Sequence, residues 1–265
     1  MTAQKANKST LSSEMGKLFL LAVAIVAFFA SCNEDPIDEF EQPTEANLTL
    51  TLHHQINDES LVLFKSYVDQ NNRKFNVTQI RYYLSNIRLI KDDFSEMLLA
   101  NQVLVKPELS SSIDLGTIFN GNYRGIKFEV GVAPDENHLE PTDREAGHPL
   151  ELQSDVNMHF GQTSRGYIFL KLDGEVDTSV ANTGNINHPW SFDVGGDQRL
   201  KTINISKDIE FNSNEINVNV ELNFEELLKG INLRFENYTN SWDNMFVANK
   251  IANNIPSSFT LLKAE

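Results

Sequence analysis

Apolar residues recur at every second position in three stretches of the chain, the signature of a strand with one face buried. Leu48, Leu50 and Leu52 alternate with Thr49, Thr51 and His53 in "NLTLTLHH". Ile126, Phe128, Val130 and Val132 alternate with polar residues in "YRGIKFEVGV", and Ile216, Val218, Val220 and Leu222 do so in "EINVNVEL". "GYIFLKLDG", from Gly166 to Gly174, reads as a short apolar strand bounded by glycines. "FNVTQIRYYLSNIRLI" is rich in β-formers, but its apolar phase slips near Tyr82-Tyr83, which predicts a bulge there. Helical patterning is scarce. "NFEELLKG" predicts one or two turns ending at Gly230, and "DNMFVANKIANNIP" places Met245, Ala248 and Ile251 on one helical face closed by Pro256.

Many short strands and little helix predict an all-β fold, an antiparallel β-sandwich or distorted barrel with long loops and one or two short helices. No internal repeat is visible. Two polar stretches interrupt the strands: 134–155, with His138 and His148, and 173–197, with His188, Trp190 and Asp193. Polar connections this long in a compact β domain are commonly functional.

The N-terminus changes the picture. Lys5, Lys8 and Lys17 precede an unbroken apolar run from Leu18 to Ala30, long enough for a secretory signal and too short to span a bilayer. The only cysteine, Cys32, follows Phe29-Ala30-Ser31. This arrangement resembles the lipobox of bacterial lipoproteins, which implies cleavage before Cys32, a lipid on its sulfur and attachment to the membrane. The acidic, proline-containing segment behind it, "NEDPIDEFEQPTEAN", reads as a solvated tether. It resembles the surface-export signals of Bacteroidetes lipoproteins. The expected organisation is a signal peptide over 1–31, an acidic tether over 32–46 and a β domain over 47–265. Met15-Gly16-Lys17 makes a natural start, in which case 1–14 lie upstream of it. The expected location is the bacterial cell envelope, as an outer-membrane lipoprotein on its surface or periplasmic face.

The formal charge is −15, and 1–31 contribute three lysines against Glu14, or +2, so the mature chain carries −15 − 2 = −17. Such a chain repels nucleic acid, and no basic patch opposes that conclusion. Catalytic signatures are absent as well. "GQTSRG" is not a nucleophile elbow, and the chain has no phosphate loop, dinucleotide fingerprint or His-Glu-X-X-His. The expectation is a protein that is not an enzyme.

Candidate chemistry rests on histidines. His53 and His54 are adjacent on a predicted strand, so they point to opposite faces and cannot chelate one ion together. His54 shares the leucine face, as a core histidine or as one ligand completed from elsewhere. Met158-His159 precedes the Gly-Tyr strand, and His188 precedes Pro189-Trp190. Imidazole and thioether donors suit copper. The acidic stretches around Asp135 and Asp173 lack the regular spacing of a calcium loop and read as solvated.

Several of these pieces together resemble the MbnP-like copper-binding family of secreted or lipid-anchored bacterial proteins. They are "LTLHHQINDESLVL", "FNVTQIRYYLSNIRLI", "YRGIKFEVGV", "GYIFLKLDG", "WSFDVGGD" and "NFEELLKG…IANNIPSSF", in the same order. The resemblance implies a β-rich extracytoplasmic domain, copper bound through histidines and a di-haem enzyme as partner, which oxidises a tryptophan to kynurenine. The chain departs from the family pattern twice. "NMHFGQTSRGY" has no tryptophan before the Gly-Tyr strand, and Asp193 in "WSFDVGG" stands where many members have histidine. Two expectations follow. One is a copper-binding protein for acquisition or buffering, with donors from His54, Met158, His159, His188 and Asp193. The alternative is a surface module for glycan or protein that has lost the metal site and uses Trp190 as an aromatic contact platform.

Overall fold

The computed structural model describes residues 44–108, 111–152, 155 and 157–264. The segment expected to be a signal peptide, Cys32 and nearly all of the expected tether lie outside the described residues. In chain order the strands begin with β1 (Glu45–Ile56), β2 (Glu59–Ser60), β3 (Tyr67–Val68), β4 (Lys74–Lys91), β5 (Glu96–Val105), β6 (Ser112–Phe119) and β7 (Gly121–Val130). After a short helix α1 (Pro134–Asn137) come β8 (Ile168–Val176), β9 (His188–Gly195), β10 (Lys201–Phe211) and β11 (Glu215–Asn223). Helix α2 (Phe224–Leu227), strand β12 (Tyr238–Thr239), helix α3 (Met245–Ser258) and strand β13 (Phe259–Ala264) complete the domain. Its first strand starts two residues earlier than the sequence suggests.

These strands form two sheets, one ordered β13-β11-β1-β2 with β6 also on β1, the other β10-β7-β4-β8-β9-β12 with β3 and β5 also on β4. The result is a sandwich, not a barrel. The pairing is mixed, because β1 lies parallel to β11 and β9 parallel to β12. The alternating residues seen in the sequence build one core between the sheets. Leu48, Leu50 and Leu52 of β1 and Val218, Val220 and Leu222 of β11 bury against Ile80, Tyr82, Leu84, Ile126 and Phe128.

The eighteen-residue strand β4 organises the second sheet. Its first half pairs with β8 and its second half lies between β5 and β7. Tyr82 and Tyr83 are both buried, and they belong to different cores. The expected bulge at this pair is therefore absent. Two successive tyrosines are apolar-phased because both faces of the strand are covered there. The irregularities of β4 fall on either side of the pair, between Val77 and Gln79 against β8 and around Asn86 (φ 52°) against both β5 and β7.

The polar stretch 173–197 is about half strand. β8 continues through Val176 and β9 begins at His188, so only 177–187 remain as a loop. Helix α3 buries Val247, Ala248, Ile251, Ala252 and Ile255, whereas Met245 is exposed. Pro256 lies inside the helix, which runs on to Ser258 instead of closing there. The expected helical turn is present as α2, but it ends at Leu227 and continues only as a turn to Gly230; the Asn223 side chain caps its N-terminus by accepting from the backbone N–H groups of Glu225 and Glu226.

Gly174 sits at one of the tightest places in the core. A Cβ there would sit 2.1 Å from the Asn76 carbonyl oxygen and 2.5 Å from the Trp190 ring. Gly174→Ala is expected to lower stability by about 1–3 kcal/mol through overpacking, read as a reduced urea midpoint with an unchanged m-value.

Candidate functional site

The described residues of 131–167 cover the outer face of the second sheet and enclose a second, smaller core of Tyr83, Val132, Leu150, Met158, Tyr167, Ile168 and Phe169. Asn137, fully buried, ties this cover down. Its Oδ1 accepts from the Tyr167 backbone N–H at 2.8 Å and its Nδ2 donates to Asp197 at 2.7 Å. Gly166 (φ 70°) is required beside it, since a Cβ would lie 2.3 Å from Asn137 Oδ1. His138 next to it bridges the Thr163 carbonyl (2.8 Å from Nδ1) and the Asp197 carboxylate (3.0 Å from Nε2). Both ring nitrogens face acceptors, an arrangement that favours the imidazolium. Its pKa is raised by the Thr163 carbonyl first and by Asp197 second.

His159 is buried at the edge of this second core and packs edge-on against Tyr167, ring centroids 5.0 Å apart. The Gly161 backbone N–H donates to its Nδ1 at 3.0 Å. In the neutral ring the proton then resides on Nε2, which is buried without a hydrogen-bond partner. Burial lowers the pKa of His159. Coordination through Nε2 would demand the other tautomer and set an Nδ1–H against the Gly161 N–H.

The other expected donors lie apart. His54 lies on β1 of the first sheet and faces the inner side of the second across the main core, its Nε2 2.9 Å from the Tyr82 hydroxyl. Burial, and then the neighbouring His53, push its pKa down to about 4. His53 points away, as strand geometry predicts, and its Nε2 is 2.8 Å from Asn219 Oδ1. Asp193 is committed to Lys171 at 2.6 Å, and burial raises its pKa despite that lysine. Met158 is packed into the second core. His188 is exposed at the start of β9, with no side-chain partner among the described residues.

His54 beneath β4 and His159 above it are separated by the sheet itself. No three His, Cys, Asp or Glu side chains among the described residues gather to hold a metal ion. The five donors therefore do not fit one copper centre in this arrangement. The platform role expected of Trp190 is also corrected. The ring is 1% exposed in the main core, and its Nε1–H donates to the Asn76 carbonyl at 3.2 Å. It belongs to the strand alternation Trp190, Phe192, Val194, all buried.

Sequence reasoning passed over the His138–Asp197–Asn137 cluster and the half-buried Trp242. Phe160 packs edge-on against the Trp242 ring at 4.5 Å, and the Arg165 guanidinium lies 4.8 Å from the ring centroid. No local pattern joins these residues, which come from four separate segments.

The family profile described as MbnP matches residues 45–246. Among solved structures, MbnP from Methylosinus trichosporium is similar in fold: the alignment covers 72% of this chain and 80% of that one, with 13% identity and a TM-score of 0.53. No match was found among curated proteins. The chain belongs to the MbnP family.

The histidines make opposite demands on pH. His54 and His159 have depressed values, so their stabilising neutral forms are fully effective above the ordinary histidine range and lose ground as pH falls below it. His138, with a raised value, stabilises below that range and loses its contribution as pH rises through the raised value. For His54 the drop from 6.5 to about 4 corresponds to about 2 kcal/mol lost between pH 7 and pH 5. His54→Gln, which stays neutral and can still pair with Tyr82, is expected to flatten the fall in denaturation midpoint over that interval.

Proposed function

We propose that this protein is a lipid-anchored, extracytoplasmic binding protein of the MbnP family that takes part in copper handling as an exchangeable buffer. The observation that carries the reading is the family match across 45–246, and the lipobox-like segment before Cys32 supports the location. Copper would come to this chain as cargo. The chain's own residues favour loose binding. His188 is exposed and uncommitted, whereas the donor atoms of His54, His159 and Asp193 already serve the tyrosine hydroxyl, the Gly161 amide and the lysine. A single accessible imidazole exchanges metal readily, and its binding weakens as pH falls through the histidine range. A partner di-haem enzyme belongs to the same proposal by family resemblance.

A second reading, a surface module for glycan or protein, rests on one observation. Phe235 and Phe246 are 71% and 65% exposed, with Arg234 and Lys250 lying over their rings at 4.9 and 4.6 Å. This pair, not Trp190, is the aromatic surface such a module would use.

Equilibrium dialysis of the soluble domain 33–265 against Cu(I), Cu(II) and Zn²⁺ at pH 7 separates the possibilities. The expected result is weak, reversible copper binding that falls at least several-fold in His188→Ala and is unchanged in His54→Gln. Tight stoichiometric binding abolished by His159→Ala would instead locate a closed centre in the second core. No binding above a control protein would leave the aromatic surface as the functional feature.

A further inference from the structure

We propose that the end of the sandwich where the tether enters is a membrane-docking face, with Phe94 and Phe119 seated in the interface of a zwitterionic lipid leaflet. The inference rests on the lipid-anchored reading of Cys32 and extends it to a surface of the folded domain.

The tether's point of entry is fixed by hydrogen bonds. Asn120, in the turn between β6 and β7, donates to Thr44 twice, from its backbone N–H to the carbonyl and from Nδ2 to Oγ1, both at 2.8 Å. Phe119 immediately precedes Asn120 and is 53% exposed. Its carbonyl is held by the Tyr123 hydroxyl at 2.7 Å. Arg124, the next residue, spreads its guanidinium over the Phe94 ring at 4.9 Å and pairs with Asp92 at 2.9 Å. Phe94 itself is at the tip of the β4–β5 hairpin and is 72% exposed. Two turns that meet around β7 therefore each present a large bare aromatic ring, beside the residue where the chain leaves for its anchor. Aromatic rings with one polar neighbour favour the headgroup boundary of a bilayer.

Reach excludes the inverted orientation. From Cys32 to Thr44 is twelve residues, at most roughly 40 Å when fully extended. β4 alone has eighteen residues, about 60 Å at strand rise. A domain turned over, with the start of β4 toward the lipid, would carry Thr44 farther from the bilayer than the tether extends. Charge selects the leaflet chemistry. Glu45, Asp92, Asp93, Asp208, Glu210 and Glu215 face Lys91, Arg124 and Lys207 at this end, a balance of −6 + 3 = −3. That face is mildly repelled by anionic headgroups, and its carboxylates can pair with the ammonium groups of phosphatidylethanolamine.

With Cys32 acylated, a cysteine introduced elsewhere is the only free thiol for labelling. Phe94→Cys, Phe119→Cys and, at the far end of β4, Val180→Cys (native Val180 is 86% exposed) would each carry an environment-sensitive fluorophore in the full lipidated chain. The chain would be incorporated into phosphatidylethanolamine–phosphatidylcholine vesicles. The expected result is a blue-shifted, several-fold brighter emission at positions 94 and 119, quenched by brominated acyl chains, and a water-like spectrum at 180. Water-like spectra at all three positions in a chain that co-sediments with the vesicles would overturn the docking face and leave the anchor standing. If the unsubstituted chain co-sediments no better than Cys32→Ala, the anchor itself fails and the docking face falls with it.

Discussion

The burial of β4 on both faces is the constraint from which the rest of the domain follows. Most strands of a sandwich have one dry and one wet face, and their side chains alternate accordingly. At Tyr82-Tyr83 the alternation instead divides two aromatic rings between two cores. Tyr82 turns inward and meets His54 and Phe259. Tyr83 turns outward and meets Tyr167, which in turn meets His159. The segment over the outer face is thus packed onto the sheet like a second layer, and Asn137 and His138 fasten it there.

This arrangement governs what the histidines can do. A metal centre assembled from His54 and His159 would need donors on opposite sides of a hydrogen-bonded sheet. Each imidazole instead lies in a poorly solvated place that favours the neutral ring, and each has one nitrogen engaged by a neighbour. They serve as packing elements that tolerate acid poorly. The family's profile runs from β1 to the start of α3, and of the five candidate donors only His188 is exposed. Fold and site are separable in principle, because the sheet scaffold depends on alternating apolar residues while a centre depends on a few side chains.

Where sequence reading and structure diverge, a local pattern was overruled by a distant one. Trp190, Phe192 and Val194 keep a strict period of two, but Pro189 and the surrounding polar residues make the stretch look like a loop. Pairing with β8, some twenty residues upstream, makes it a strand. Pro256 looks like a helix terminator, but packing of Ile251, Ala252 and Ile255 into the core carries the helix past it. The apolar slip at Tyr82-Tyr83 has the form of a bulge in any one-sided strand, and only the second layer makes it regular.

The sequence by itself determined the β class, the positions of β1, β7, β8 and β11, the strong negative charge and the opposite facing of His53 and His54. All of these follow from period, composition or neighbouring geometry, which are local properties. Tertiary structure alone decided that Trp190 is core and not surface, that Met158 and His159 are sealed under a cover, and that His54 and His159 occupy opposite sides of one sheet. It also decided that two bare phenylalanines from separate turns share the end where the tether enters. Such facts depend on which strand pairs with which and on what covers each face, and residues distant in sequence carry no local sign of either.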